Sequence, residues 1–118
     1  MTVLITGVTG LVGARLLPRL VTAGIECRAL VRGGKDAPEG VTPVEGNLFD
    51  PYTLTQAVDG ISDVIHLAAV FRSQDNDLIW KTNLEGTRNV ISAVKAHAPK
   101  ARFIFACVFH AMADTIPC

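Results

Sequence analysis

Three glycines at a fixed interval near the start of the chain are the residues best placed to do chemistry. Gly7, Gly10 and Gly13 follow directly on the apolar run Thr2–Thr6, and a helical pattern begins at Leu11. In a turn that joins a strand to a helix each glycine has its own use. The first permits the tight turn, the middle one lets backbone come against a pyrophosphate, and the last lets helix and strand pack closely. Free N–H groups in the first helical turn, with the positive end of the helix dipole behind them, then meet the phosphates. Leu11 and Val12 contribute to such a cradle through their backbone N–H groups, while their side chains remain available for core packing. Spaced glycines alone are a weak signal. Here they follow a strand, open a helix and stand at the head of an alternating chain, the context that gives the pattern meaning.

The elements that must position this turn are legible as alternating apolar runs and helical patterns. Thr2–Thr6 is expected to be a buried strand, and residues 11–23 a helix with Leu16, Leu17, Leu20 and Val21 inward, stopped by Gly24. Pro18 inside that helix predicts a kink or a loosened first turn. Residues 27–31 form a second strand. Residues 33–40, with Gly33-Gly34 and Pro38, form a loop. Residues 41–45 form a weak third strand containing Pro43. Asp50 caps a helix with Pro51 at its first position, running to Gly60. Residues 63–69 are a fourth strand, 75–98 a long helix with Leu78, Ile79, Asn83, Val90, Ile91 and Val94 at helical spacing, and 102–108 a fifth strand. This order is the α/β signature. Right-handed crossovers make the strands parallel and put helices on both faces. The expected architecture is a Rossmann-type doubly wound sheet in the order 3-2-1-4-5, whose ligand crevice opens beyond the carboxyl ends of strands one and four.

Composition narrows the class. A chain of 118 residues, 49% of them hydrophobic, suits one domain spanning residues 1–118. Its 11 basic and 11 acidic residues cancel, which removes the electrostatic case for nucleic acid or an anionic membrane. The uncharged N-terminal run ends at Arg15, too short for a bilayer span, and carries no basic leader. The three cysteines, Cys27, Cys107 and Cys118, have no metal-like spacing and read as reduced thiols. The expected setting is the cytoplasm, and no metal ligands are assigned.

The pattern Thr6-Gly7-x-x-Gly10-x-x-Gly13 resembles the short-chain dehydrogenase/reductase superfamily. Three further stretches are similar to its extended branch, the NAD-dependent epimerase/dehydratase family. They are Gly46-Asn47-Leu48 after strand three, His66-Leu67-Ala68-Ala69 at the end of strand four, and Asn83-Leu84-Glu85-Gly86-Thr87, with Asn89 behind it, in the long helix. The ending Ala29-Leu30-Val31-Arg32 of strand two is similar to reductase- and sugar-epimerase-like members. The resemblance covers about the first 105 residues and implies a dinucleotide cofactor, NAD or NADP. It implies that Asn47 stands near the adenine amino group, where its amide oxygen can accept a hydrogen bond, with Leu48 against the adenine ring. It gives Asn83 a hydrogen-bond role near strand four and the cofactor. Small side chains at Ala68 and Ala69, beside Leu67, let a cofactor lie against backbone, and tight helix packing is the alternative use. His66 reads as a structural residue that satisfies a backbone group, Trp80 as core or interface anchor. Arg32 suits a ribose 2′-phosphate, whereas an acid at the end of strand two would hold a 2′-hydroxyl. This tilts the expectation toward NADP. The alternatives are an arginine that stacks on adenine or points to solvent.

The superfamily moves hydride with a Tyr-x-x-x-Lys pair and a nearby Ser or Thr. The single tyrosine here, Tyr52, is followed four positions on by Gln56 and falls in an expected surface helix. No hydroxyl residue stands between Cys107 and Thr115. The resemblance stops at about residue 107, an irregular tail is expected from about 108, and the chain reads as a truncated family member with no catalytic residue of its own. Two functions follow. One is the cofactor-binding portion of an epimerase, dehydratase or reductase acting on a nucleotide sugar or secondary alcohol, whose full-length parent would form a homodimer through helices that include the long one. The alternative is a non-catalytic NAD(P)-sensing or interaction module.

Overall fold

The central strand explains the layering. β1 (Thr2–Thr6) is buried along residues 3–6 and alternates its side chains between two cores. Leu4 joins Leu54, Ala57, Val58, Val64, Val90 and Val94 on one face of the sheet. Val3 and Ile5 join Val8, Leu17, Cys27, Ala29, Val31 and Val41 on the other. A strand apolar at successive positions is what a parallel sheet covered on both faces requires. The computed structural model describes residues 1–8, 10–33, 37–67 and 76–106, with Leu11 and Asn76 through their backbone alone.

The strands β1, β2 (Glu26–Val31), β3 (Thr42–Glu45), β4 (Asp63–His66) and β5 (Arg102–Phe105) lie in the order β3-β2-β1-β4-β5, all parallel. This is the expected doubly wound order. Pro43 is tolerated because β3 is an edge strand. At the other edge, Ile104 and Phe105 of β5 are exposed. Of the fifth strand expected over 102–108, the described part is Arg102–Phe105, an edge strand whose Ile104 and Phe105 side chains stand in the open. Cys107, Val108 and the tail lie outside the described residues.

α1 (Leu11–Thr22) runs through Pro18, whose ring stands on the exposed face. Leu17 is its buried anchor. α2 (Pro51–Ala57) starts as expected, with the Asp50 carboxylate accepting the Tyr52 N–H at 3.2 Å. It ends at Ala57, short of Gly60. The Arg28 guanidinium from β2 donates to the Ala57 and Asp59 carbonyls at 3.3 and 2.6 Å, a cation at the end of the helix where free carbonyls collect.

The expected long helix is made of three pieces, α3 (Asn76–Trp80), a π-helical segment (Lys81–Gly86) and α4 (Thr87–His97). Its inner face is Thr82, Gly86, Val90, Ala93 and Val94, while Leu78 and Ile91 are exposed. The wider π turn shifts the register, so apolar residues chosen on a uniform helical period fall on both sides. Trp80 is 52% exposed and is not a core residue. Cys27 is a buried free thiol whose pKa burial pushes up, so it packs as a small apolar group. No helix of the described residues is long and apolar enough to cross a membrane.

Candidate functional site

The glycine turn has the geometry its spacing requires. Gly7 takes φ +75°, a left-handed conformation that only glycine adopts without strain. Its carbonyl accepts the Gly10 N–H at 3.1 Å, and the Gly10 carbonyl accepts the Ala14 N–H at 2.9 Å to start α1. A Cβ at Gly13 would stand 2.6 Å from the Gly7 oxygen and 2.8 Å from the Val8 Cα. Both neighbours are backbone and cannot turn aside, so α1 sits on the end of β1 only because residue 13 has no side chain. Gly10 caps α1 in an extended conformation with no side-chain hydrogen bond among the described residues. The first-turn N–H groups are thus not consumed by a capping side chain. Val12 is exposed beside them. These residues leave an open turn at the N-terminus of α1.

The turn opens where β1 adjoins both β2 and β4, the point at which the winding direction reverses. Arg32 directly follows β2 and is exposed at that end of the sheet. Residues 34–36, and Lys35 with them, lie outside the described residues. After β3, Asn47 is exposed and its Oδ1 accepts the Phe49 N–H at 2.9 Å, so one of the two acceptor directions of the amide oxygen shapes its own loop. Its backbone N–H donates to Thr53 Oγ1 at 3.0 Å, which pins the loop to α2. Leu48 is half-buried against the core. Leu67 follows β4, half-buried, with its N–H shared between the Thr6 carbonyl at 3.2 Å and Thr6 Oγ1 at 3.1 Å. Ala68 and Ala69 lie outside the described residues. Asn83 is half-buried in the π-helical segment.

Three residues of the long helix brace these loops. Gly86 lies under Leu48, where a Cβ would stand 3.3 Å from the leucine Cδ1. The Asn89 amide donates to the Leu48 carbonyl at 2.8 Å. Thr87 Oγ1 shares a hydrogen bond with His66 Nε2 at 3.0 Å. Lys81 adds a cation over the Phe49 ring, 4.9 Å from its centroid.

His66 is fully buried, and its partners are side-chain hydroxyls instead of the expected backbone group. Nδ1 is bonded to Thr6 Oγ1 at 2.7 Å and Nε2 to Thr87 Oγ1. Burial lowers its pKa from the ordinary 6.5 to about 4, which keeps the ring neutral. Thr6 and Thr87 stand in the recognised motifs, but neither is assigned to the site from the sequence. The pairing register sets Thr6 directly opposite His66 across the β1–β4 seam, and only the docking of α4 brings Thr87 to the other ring nitrogen. Tyr52 is 71% exposed at the start of α2, as its position in the sequence implies.

A model of the NAD dependent epimerase/dehydratase family matches residues 3–114, and so runs past the point near 107 where the motif resemblance stops. Profile similarity extends through residues that carry no motif. The 2-alkyl-3-oxoalkanoate reductase of Shewanella oneidensis is 37% identical over 95 residues, 78% of this chain and 24% of that protein. Among solved structures, glucuronic acid dehydrogenase from Chromohalobacter salexigens superposes with TM-score 0.80 at 26% identity, covering 97% of this chain and 43% of that one. The Bordetella bronchiseptica enzyme WbmH, solved in complex with NAD+, gives TM-score 0.70 at 27% identity over 86% of this chain and 37% of its own. The chain therefore spans between 24% and 43% of the length of these relatives. The family match over residues 3–114, the shared sheet order and the glycine turn agree: the chain belongs to the NAD-dependent epimerase/dehydratase family and carries its NAD-binding region.

Proposed function

We propose that this chain is one dinucleotide-binding unit that holds NADP in preference to NAD and does not itself move hydride. The observation that carries the reading is the cradle at Gly7, Gly10 and Gly13, where a Cβ at Gly13 would collide with the Gly7 and Val8 backbone. The backbone N–H groups of Leu11 and Val12 face the pyrophosphate, and the α1 dipole favours its charge. Asn47 and Leu48 take the adenine end. Leu67 takes the nicotinamide end, with Asn83 as a polar support, and the motif resemblance assigns Ala68 and Ala69 to the cofactor as well. Arg32, exposed after β2, pairs with the 2′-phosphate, a charge-assisted contact that a 2′-hydroxyl cannot supply.

The cofactor, when bound, supplies the hydride chemistry at its nicotinamide ring, and the chain supplies position and electrostatics. The parent activity is a reductase, dehydrogenase or epimerase step at a sugar or secondary-alcohol carbon. The chain lacks the Tyr-x-x-x-Lys pair for that step, since Tyr52 is its only tyrosine and Gln56 follows at the lysine position. The same fact favours a second reading, a non-catalytic NAD(P)-sensing module. Trp80, Leu84 and Ile91, exposed along the long helix, support a homodimer of the parent through that face.

The test is titration of the purified chain with NAD and NADP, before and after Arg32→Asp. Selective weakening of NADP is the expected result, and equal loss for both cofactors refutes the role given to Arg32. Detectable hydride transfer by the purified chain refutes the binding-only reading.

A further inference from the structure

None of the contacts proposed for the dinucleotide uses His66, yet both of its ring nitrogens are engaged. Thr6 Oγ1 lies 2.7 Å from Nδ1 and Thr87 Oγ1 lies 3.0 Å from Nε2. Phe105 stacks on the ring at 5.8 Å and 20°, and Phe103 lies tilted against it at 6.1 Å and 37°. The aromatic neighbours from β5 fix the plane of the ring, and the two hydroxyls fix its rotation within that plane. The partners are distributed over the fold. Thr6 ends β1 and adjoins Gly7 of the phosphate turn. Thr87 opens α4. Thr6 Oγ1 also accepts the N–H of Leu67, the first residue beyond β4, at 3.1 Å.

A neutral imidazole carries one N–H donor and one acceptor nitrogen. One threonine therefore donates into the ring while the other accepts from it, and the polarity of one bond dictates that of the other. Burial lowers the His66 pKa to about 4, so the ring carries this directional pattern at neutral pH.

We propose that Thr87, His66 and Thr6 form a positioning relay that ties the start of α4 to the seam between the phosphate turn and the end of β4. The relay acts on a bound dinucleotide through Gly7 and the Leu67 amide and touches no substrate. For its ligand it rests on the dinucleotide reading above. His66 is then a positioning residue, and the hydroxyls on either side of it are coupled although they do not touch.

The experiment uses the full chain with Thr6→Val, Thr87→Val and the double substitution, and with Thr6→Ser and Thr87→Ser as hydroxyl-retaining controls. It has two readouts, the NAD and NADP dissociation constants and the ring ¹⁵N spectrum of His66 without ligand. Each valine variant is expected to weaken binding about three- to tenfold, the equivalent of one hydrogen bond. The double variant is expected to lose less than the product of the single losses, because one broken bond already frees the ring. The serine variants are expected to stay within about twofold of the parent. In the spectrum, the parent shows a single tautomer and each valine variant a mixed or reversed one. Multiplicative losses, or valine variants with the parent's ring spectrum, overturn the relay. Where a valine variant does not fold, the parent's own spectrum decides, and a ring exchanging between tautomers overturns it. A parent that binds neither cofactor refutes the dinucleotide reading, while the ring spectrum still tests the relay.

Discussion

Acidification should weaken this fold through His66, in a pH window that follows from one buried ring. In the folded chain burial lowers the His66 pKa from 6.5 to about 4, and the unfolded chain restores the ordinary value. Between these two values the unfolded state binds the extra proton and the folded state does not. Stability is therefore intact above pH 6.5, falls as the pH drops through the window, and levels off for this residue below about pH 4. At about 1.4 kcal/mol for each tenfold change in proton affinity, the whole window is worth about 3 kcal/mol, with about 2 kcal/mol gone by pH 5. That is a large fraction of the 5–15 kcal/mol that holds a typical domain together, on the order of one third. Urea unfolding of the parent and of His66→Gln at stepped pH isolates the term. The parent should be the more stable of the two at neutral pH, and its advantage should shrink by about 2 kcal/mol on going to pH 5. A proton NMR titration reads the ring directly. A His66 ring that protonates near its ordinary value while the chain stays folded would refute the reasoning, and so would parallel stability curves for parent and variant.

Other substitutions test single contacts. Gly13→Ala pushes a methyl into the Gly7 and Val8 backbone. It should cost about 1–3 kcal/mol in urea unfolding and abolish dinucleotide binding. Leu54→Ala removes a fully buried side chain from the core between α2, α4 and the sheet; the expected loss is about 2–5 kcal/mol, read from the unfolding midpoint. Arg28→Met keeps much of the stem but deletes the donors to the Ala57 and Asp59 carbonyls, and a loss of about 1–2 kcal/mol with a frayed α2 end in amide exchange is expected.

The sheet was legible because its signals are local and dense. β1 has the bounds Thr2–Thr6 in both sequence and structure, since an unbroken apolar run between polar ends leaves one reading. The strand order followed from reading the alternation, headed by a glycine turn, as a Rossmann-type sheet. The long helix was less legible. Its buried face begins with Thr82 and Gly86, neither of which announces burial in a sequence, while the apolar Leu78 and Ile91 stand exposed. The carbonyls at the end of α2 meet a distant arginine, Arg28, which no local pattern around Ala57 reveals. The glycine turn was legible down to the role of Gly13. The hydroxyl partners of His66 were not, because they are brought together by the register of β1 on β4 and by the docking of α4.

The stretch from Asn83 to Asn89 acquires a different meaning from these contacts. A polar pattern within a helix invites the assumption that its side chains touch a ligand. Here Gly86 receives the Leu48 side chain, Asn89 holds the Leu48 carbonyl and Thr87 holds His66. Gly86 and Asn89 therefore fix the loop proposed for adenine, while Thr87 fixes the end of β4 proposed for nicotinamide. Neighbouring positions on one helical turn thus control opposite ends of the proposed cofactor. The spacing is set by packing: the helix must approach closely at Gly86 to reach the loop, and the next residue must carry a hydroxyl to meet a buried ring. A helix that kept its apolar residues but lost this pattern would still cover the sheet. It would no longer hold the two loops in a fixed relation, and a dinucleotide that spans both would lose the advantage of a prepared site.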